Sequence, residues 1–272
     1  MKTVEKIIFN DKEYDKLYQG YDLLFEVNKV LDYLNFTALE PSTILYKPYT
    51  VTTAQYSFDK VSWETADNVT LNLNKGDKVY FKGNITNHQD FIDYAKFTMT
   101  GKIAASGSIM SLQAGNPEDN SINYAGEFNY LFENCTSLVS APKLPATTLK
   151  FHCYAYMFSG CTSLVTAPEL PATALAERCY WAMFSDCTSL IKAPYLPATE
   201  PVDECHYCYV YMFENCVNLK HIKCSANYYI FNWFDDWLKN VAPTGDFYCY
   251  DASIFPTGGS GIPEGWTVHS EI

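Results

Sequence analysis

Residues 135–160 read CTSLVSAPKLPATTLKFHCYAYMFSG, and residues 161–186 repeat them as CTSLVTAPELPATALAERCYWAMFSD. The two blocks are 26 residues each and share 17 identical positions without a gap. A third block begins at Cys187 and a fourth at Cys216. Self-similarity at a fixed period in this range is typical of solenoids, in which each unit buries its apolar face by stacking on its neighbours.

Each block is predicted to form a short strand, a turn and a short helix. The strand contains Leu138 and ends at an Ala-Pro pair, because proline cannot donate to a strand ladder. Leu149, Cys153 and Met157 follow at a spacing that favours a helix, with Thr147 placed to cap it. The predicted helices end at residue types that tolerate a left-handed backbone, which are Asn134, Gly160, Asp186 and Asn215.

Stacked repeats would align like residues in ladders through the interior. Burying each phenylalanine of such a ladder should contribute about 1.5 to 3 kcal/mol. The expected leucine ladder consists of Leu138, Leu164, Leu190 and Leu219, and the expected phenylalanine ladder of Phe132, Phe158, Phe184 and Phe213.

Three phrases of the repeat carry a family resemblance: Cys-Thr-Ser-Leu, Ala-Pro-x-Leu-Pro-Ala-Thr and Cys-Tyr-x-x-Met-Phe. They resemble the BspA-like class of leucine-rich repeats, which is common in surface proteins of gut Bacteroidales and in their phages. The resemblance covers residues 123–226, and the closing stretch from Trp237 to Val268 is similar to the tail of such proteins. It implies a leucine-rich solenoid that serves adhesion or binding, and not catalysis.

The expected fold class is therefore α/β plus β. Residues 1–32 are predicted to form a β-hairpin segment for anchoring or assembly, and residues 33–122 a β-sandwich-like domain with turn-separated short strands. Residues 123–226 form the leucine-rich-repeat solenoid of parallel strands and short helices, and residues 227–272 fold back as an aromatic C-terminal cap. The expected strands before the repeats are 4–9, 12–18, 21–27, 34–39, 44–46, 55–58, 69–73, 78–81, 96–100 and 108–112.

The composition excludes several classes of partner. A net charge of −12, without a run of Lys or Arg, argues against nucleic acid and anionic membranes. No apolar run approaches the length of a membrane span. Acidic residues break every apolar run of the first 30 residues, so no secretory leader is visible. We expect either a removed leader or a protein made in the cytoplasm and released by lysis, as virion proteins are.

Seven of the ten cysteines occupy two fixed positions of the repeat, where cysteine fills a stack as a small hydrophobe. We expect free buried thiols, although an oxidising compartment could cross-link stacked positions. Cys205, His221 and Cys224 lie outside the repeat register and have the side chains that bind zinc. Cys208 and Cys216, which lie nearby, occupy the fixed cysteine positions of the repeat and need no metal to account for them. We therefore expect no metal and no cofactor.

No catalytic set is apparent in the sequence. None of the five histidines stands in a nucleophile motif, and the carboxylates are scattered. Asp119 lies in an Asn-Pro-Glu-Asp-Asn stretch that lacks the alternating ligands of a calcium loop, so a solvated linker is expected. The sequence thus predicts no enzyme.

Some positions vary freely between copies while the ladder positions stay constant. Side chains that do not pack between stacked repeats should face solvent, on the surface that such folds use for binding. The candidate binding residues are Ser140, Lys143, Thr166, Glu169, Lys192 and Tyr195.

We therefore expect a non-enzymatic, surface-displayed structural and binding protein. The leading hypothesis is a phage virion component, such as a fibre, decoration or tail accessory protein, that attaches to a host-surface glycan or protein. Other virion or cell-surface proteins would contact the N-terminal region, and the protein would be oligomeric. The alternatives are a bacterial cell-surface adhesin or glycan-binding protein and, third, a polysaccharide-degrading enzyme.

Overall fold

A computed structural model describes residues 2–9, 12–19, 22–48, 53–85, 94–199, 206–229 and 231–270. For residues 2–30 and 231 the description covers the backbone only. The described chain is rich in strands, with several sheets and almost no helix. The β-rich part of the expected fold is therefore confirmed.

The N-terminal residues form an antiparallel sheet of three strands in the order β1-β2-β3. The strands are β1 (Lys2–Phe9), β2 (Lys12–Gln19) and β3 (Asp22–Val30). All three strands were predicted from the sequence. The expected turn at Gln19-Gly20 lies outside the described residues, because Gly20 is not described.

In the described residues, eight further strands precede the repeats. They are β4 (Leu34–Ala38), β5 (Ser42–Lys47), β6 (Thr53–Ser57), β7 (Glu64–Thr65), β8 (Thr70–Leu73), β9 (Lys78–Asn84), β10 (Lys96–Thr100) and β11 (Ile103–Ser106). Two of them were not predicted: β7, which has only two residues, and β11. One sheet has the order β10-β5-β8, and β11-β4-β9-β6-β7 belong to a second sheet.

Aromatic rings join these two sheets face to face. Phe97 of β10 lies 5.1 Å from Phe36 of β4 and 5.2 Å from Phe81 of β9, between ring centroids. Alternate residues are buried along β5, β8 and β9. This alternation creates the apolar face on which each sheet packs.

The strand predicted at 108–112 is wrong. Residues Ile109–Leu112 form a single turn of 3-10 helix, in which every side chain is buried. Gly107 adopts a φ of 73°, which redirects the chain after β11, and the Ser108 hydroxyl then accepts a hydrogen bond from the amide of Met110 at 3.3 Å. Capping and burial on all sides override the strand propensity of this apolar run.

The repeats continue directly from the β-rich region. Strand β12 (Leu138–Ser140) of the first repeat pairs in parallel with β11, opposite Ile103 and Ala104. The amide of Phe97 also donates to the carbonyl of Leu131 at 2.8 Å. One hydrophobic core therefore runs from Leu34 to Trp266 without a break at residue 122.

Successive repeats are hydrogen-bonded to one another in chain order. The phenylalanine rings of neighbouring repeats stack with centroids 5.5 to 5.6 Å apart and planes within 7°. The expected phenylalanine and leucine ladders are both completely buried. Backbone amide-to-carbonyl bonds of 2.9 Å join Phe132 to Met157, Phe158 to Met183, Phe184 to Met212 and Phe213 to Trp237.

The short helices predicted in the repeats are wrong, because these segments are chains of turns. In residues 152–160 every fourth residue has a positive φ: 60° at His152, 56° at Tyr156 and 73° at Gly160. Amides alternate between two partners: that of Tyr156 donates to Trp181 of the next repeat at 2.8 Å, and that of Met157 donates three residues back at 3.2 Å. An α-helix has neither feature. We call these segments turn ribbons.

The turn ribbons preserve one detail of the helix prediction. The predicted helix ends do have left-handed backbone, with φ between 59° and 73°. The expected helix cap at Thr147 does not form, since no helix follows it; the Thr147 amide donates to the carbonyl of Asn120 at 2.8 Å. The only α-helix of the described residues is α1 (Phe231–Phe234).

The C-terminal residues extend the parallel arrangement and do not fold back. Strands β13 (Lys192–Leu196), β14 (His221–Cys224), β15 (Gly245–Cys249) and β16 (Trp266–His269) form a parallel sheet in chain order. Residues 232–239 accept amide hydrogen bonds from residues 207–215, as the earlier repeats do. Trp233, Phe234 and Trp237 of the aromatic stretch are buried in the core, whereas Tyr228 is exposed.

Candidate binding cleft

The strand ladder of the repeats is interrupted at one place. Val165 donates its amide to the carbonyl of Val139 at 3.2 Å, and Thr166 bridges to Ser140, so this segment is joined to the preceding repeat. Strand β13 is joined only to β14. No backbone hydrogen bond or bridge connects residues 164–171 with β13, although both are fully described.

A cleft of about 740 Å³ lies at this interruption. Four of the six candidate residues line it, which are Thr166, Glu169, Lys192 and Tyr195. Lys223 and four prolines complete the wall, namely Pro168, Pro171, Pro194 and Pro197. We call this feature the Tyr195 cleft.

The other two candidate residues are occupied elsewhere. The Ser140 hydroxyl donates to the carbonyl of Ala105 at 3.0 Å, and the Lys143 ammonium forms an ion pair with Asp32 at 2.6 Å. Both residues thus bind the β-rich region, and neither lines the Tyr195 cleft.

Tyr195 is held in a defined orientation within the cleft. Its side chain is 45% exposed, yet its hydroxyl is hydrogen-bonded to that of Ser225 at 2.5 Å. The Lys223 ammonium lies 5.2 Å from the centre of the tyrosine ring. An exposed ring that is fixed at its far end is suited to stacking, because little rotamer freedom is lost on binding.

Lys223 and Ser225 are functional candidates that the repeat pattern did not reveal. Aligning the blocks places His221 opposite Lys192 and Cys224 opposite Tyr195. The structure keeps the first pair, but a register shift between Lys192 and Tyr195 puts Lys223 opposite Tyr195. The extra residue lies in β13, where Ala193 and Pro194 are both buried, and it places Tyr195 on the same exposed face as Lys192 and Lys223.

A second cleft of about 490 Å³ adjoins the first and shares Lys192 and Lys223 with it. His221 and Tyr248 also line this cleft. Asp246 accepts from His269 at 2.9 Å and lies 3.5 Å from His221, and the Tyr248 ring stacks on His269 at 4.4 Å. The two clefts form a continuous surface on the strand side, in which the lysines and tyrosines stand among mainly apolar residues.

The carboxylates do not form a glycosidase pair in the Tyr195 cleft. Glu169 is the one carboxylate among its described lining residues. Glu127 lies outside this cleft in the interior, where burial raises its pKa to about 8. Its Oε2 accepts from the amides of Asn123 and Tyr124 at 2.9 and 3.1 Å. Hydrolysis by two carboxylates needs both groups at the scissile bond, and this geometry supplies one.

Eight cysteines are free and buried, in agreement with the expectation. Burial raises the pKa of Cys135, Cys153 and Cys224 to about 12, so these thiols are protonated and poor nucleophiles at neutral pH. Cys208 is an exception to the expected free thiols, because it is disulfide-bonded. The thiols of Cys161, Cys187 and Cys216 each donate to the phenylalanine carbonyl of the preceding repeat at 3.0 to 3.2 Å. The Cys135 thiol donates in the same way to the carbonyl of Phe97 in β10 at 3.1 Å.

The candidate metal ligands are not brought together within the described chain. Cys205 lies outside the described residues, Cys224 is a buried free thiol and His221 faces Asp246. Asp119 accepts from Gln113 at 2.9 Å and from the amide of Ser121 at 3.1 Å, which orders its own loop. Across the described ranges, no group of three or more His, Cys, Asp or Glu side chains is arranged to hold a metal.

No family model, curated protein sequence or solved structure matches this chain. A search of the described residues for a helix of bilayer-crossing length and apolar character finds none.

Proposed function

We propose that the repeats build a short leucine-rich-repeat solenoid of the BspA-like type, and that the chain is a non-enzymatic, surface-displayed recognition protein. Support for the solenoid comes from the amide bonds that join each turn ribbon to the next and from the stacked phenylalanines. In such folds each unit is stabilised by its neighbours, and the surface side chains are free to vary.

The observation that carries the proposed function is the Tyr195 cleft. Residues that vary between otherwise similar repeats converge there on one concave surface, beside a tyrosine that is exposed and yet fixed in position. Concave sites with a few well-placed polar groups are the usual form of a binding site. Attachment to a host-surface glycan or protein is the function that best uses such a surface.

The setting that we propose is a phage virion, where the protein serves as a fibre, decoration or tail accessory component. The antiparallel sheet of β1 to β3 would contact other virion proteins and support an oligomer, since a three-stranded sheet of this kind is marginally stable alone. A cell-surface adhesin or glycan-binding protein of bacteria is the alternative setting, with the same cleft as its binding site. Detecting the protein in purified particles or in a cell-envelope fraction separates the two.

Attachment assays test the function directly. We expect the double variant Lys192→Glu/Tyr195→Ala to lose most of its attachment to host cells, because it removes a cation and the aromatic face of the cleft. Lys150→Glu, at an exposed position outside both clefts, is the matched control for charge and should attach normally. Normal attachment by the double variant would exclude the Tyr195 cleft as the recognition surface.

A polysaccharide-degrading enzyme is the competing function. Incubating the protein with host capsular polysaccharide and following chain length by size-exclusion chromatography distinguishes the two. We expect unchanged chain length, since Glu169 has no second carboxylate beside it in the cleft. Progressive shortening of the polymer would refute the non-enzymatic assignment.

A further inference from the structure

We propose that the Tyr195 cleft binds a carboxylate-bearing polysaccharide. This inference rests on the proposed recognition function and specifies the class of ligand. Three features of the cleft lead to it: uncompensated positive charge, a fixed aromatic face, and two open backbone edges.

The charge of the cleft is opposite to that of the whole chain. Lys192 and Lys223 stand on neighbouring strands and line both clefts, and neither forms an ion pair within the described chain. Glu169 is the only carboxylate of the Tyr195 cleft. Although the chain carries a net charge of −12, this cleft therefore presents two lysines against one carboxylate, and such a local excess of positive charge attracts an anionic ligand. By contrast, three described lysines elsewhere pair with carboxylates at 2.6 to 2.9 Å, namely Lys96, Lys143 and Lys239.

The aromatic face suits a sugar ring. Tyr195 is anchored through Ser225 and leaves nearly half of its surface exposed. The C–H groups on one face of a pyranose stack on such a ring, while the ring substituents reach the polar groups around it. The Lys223 ammonium lies over one face of the ring, 5.2 Å from its centre, so a sugar that stacks on the remaining exposed ring surface would have a cation beside its carboxylate.

The open edges favour hydroxyl groups over a peptide backbone. Along residues 164–171, one backbone edge pairs with the preceding repeat, and along β13 one edge pairs with β14. The other edge of each segment faces the cleft. A peptide added as a strand needs a regular series of N–H donors along the edge. Pro168 and Pro194 interrupt that series. Sugar hydroxyls both donate and accept, so they can satisfy an irregular edge of this kind.

Calorimetric titration of the purified full chain with matched oligosaccharides tests the proposal. The carboxylated probes are sialyllactose, a hyaluronan hexasaccharide and oligogalacturonate. Their neutral counterparts are lactose, an N-acetylglucosamine hexamer and methyl-esterified oligogalacturonate, and poly-glutamate serves as the acidic peptide. We expect at least one carboxylated probe to bind about tenfold or more tightly than its counterpart, with an affinity that falls as salt rises.

Substitutions then assign the binding to the cleft. Lys192→Glu, Lys223→Glu and Tyr195→Ala should each weaken binding of the preferred probe by about tenfold or more. The control Lys150→Glu should leave affinity unchanged, and the thermal midpoint of each variant shows whether it is folded. Lys192→Arg and Lys223→Arg should each retain binding, because the positive charge is kept.

Several results would overturn the proposal. These are equal affinity for carboxylated and neutral probes, preference for poly-glutamate, binding unaffected by the cleft substitutions, and failure of every carboxylated probe to bind. The host-attachment assay reports separately on the recognition function. If the double variant loses attachment but no charge preference is found, the recognition function stands and the acidic ligand class is wrong.

Discussion

The thiol of Cys161 donates to the carbonyl oxygen of Phe132 in the preceding repeat at 3.1 Å, in a fully buried site. The same carbonyl also accepts from the amide of Cys135 at 3.0 Å, so removing the thiol costs only the net value of one hydrogen bond, about 0.5 to 1.5 kcal/mol. We expect Cys161→Ala to lower the free energy of unfolding by this amount beyond the cost of the lost sulfur. Urea denaturation measures the change.

Cys153→Ala is the matched control for that prediction. Cys153 is equally buried, but its thiol makes no hydrogen bond within the described chain. Both variants lose the same buried volume, so their difference isolates the hydrogen bond. Equal destabilisation of the two variants would show that the thiols act through packing alone.

Glu127 should make stability depend on pH. Burial raises its pKa from 4.5 to about 8, against the opposing effect of the two amides that it accepts from. The folded state therefore holds a proton that the unfolded state releases. This contribution to stability is complete below pH 4.5 and is lost as the pH rises through 8.

The variant Glu127→Gln keeps the shape of the protonated acid and cannot ionise. We expect the thermal midpoint of the wild type to fall between pH 5 and 9 by more than that of Glu127→Gln, measured by circular dichroism. Glu169→Gln makes the same change in charge at an exposed site and serves as the control. Identical pH profiles for Glu127→Gln and the wild type would contradict the prediction.

At the scale of elements, the turn ribbons explain why a helix was predicted. Leu149, Cys153 and Met157 recur every four residues, which is close to the 3.6 residues of a helical turn. The same interval suits a ribbon in which every fourth residue is left-handed. The spacing of apolar residues cannot distinguish a helix from a turn ribbon. The two differ in whether the backbone amides donate within the segment or to the next repeat.

Ala182→Gly distinguishes the ribbon from a helix. Ala182 has a φ of 50°, a conformation that costs a side-chain-bearing residue about 1 to 2 kcal/mol and that glycine adopts freely. Ala155 is equally buried but does not have a positive φ. We expect Ala182→Gly to be more stable than Ala155→Gly by about 1 to 2 kcal/mol in urea denaturation. In helices both substitutions would cost about the same.

At the scale of the whole molecule, the β-rich region and the repeats share one core. The pairing of β11 with β12 and the stacking of Phe97 on Phe132 at 5.3 Å join them without an apolar gap. Cooperative unfolding follows when units are stabilised mainly by their neighbours. A destabilising substitution in one repeat should therefore also lower the stability of the strands before residue 122.

Phe158→Ala tests this coupling, because Phe158 is completely buried between two stacked rings. We expect a loss of about 3 to 5 kcal/mol in the free energy of unfolding. Hydrogen exchange in mild denaturant should show the loss in β4 and β9 as well as in β14 and β15. Unchanged protection of β4 and β9 would show that the two regions unfold independently.

The amino-acid sequence was sufficient to predict the repeat boundaries, the buried ladders, the left-handed residues at the ends of the repeats and most strands of the first half. These features follow from local chain properties: identity at a fixed period, alternation of apolar residues, and residue types such as Asn134 and Gly160 that tolerate a positive φ. It also indicated four residues of the cleft, because residues that are not packed between repeats differ from one copy to the next.

The hydrogen-bond partners of the backbone could not be predicted and became visible in the folded chain. The tertiary structure replaced the expected helices by turn ribbons, joined β12 to β11, and interrupted the ladder between residues 164–171 and β13. It also shifted the register that brings Lys223 opposite Tyr195. In each of these cases a backbone group bonds either within its own segment or to a neighbouring repeat. The free-energy difference between the two depends on how the neighbour packs, and the sequence of a single repeat does not contain that information.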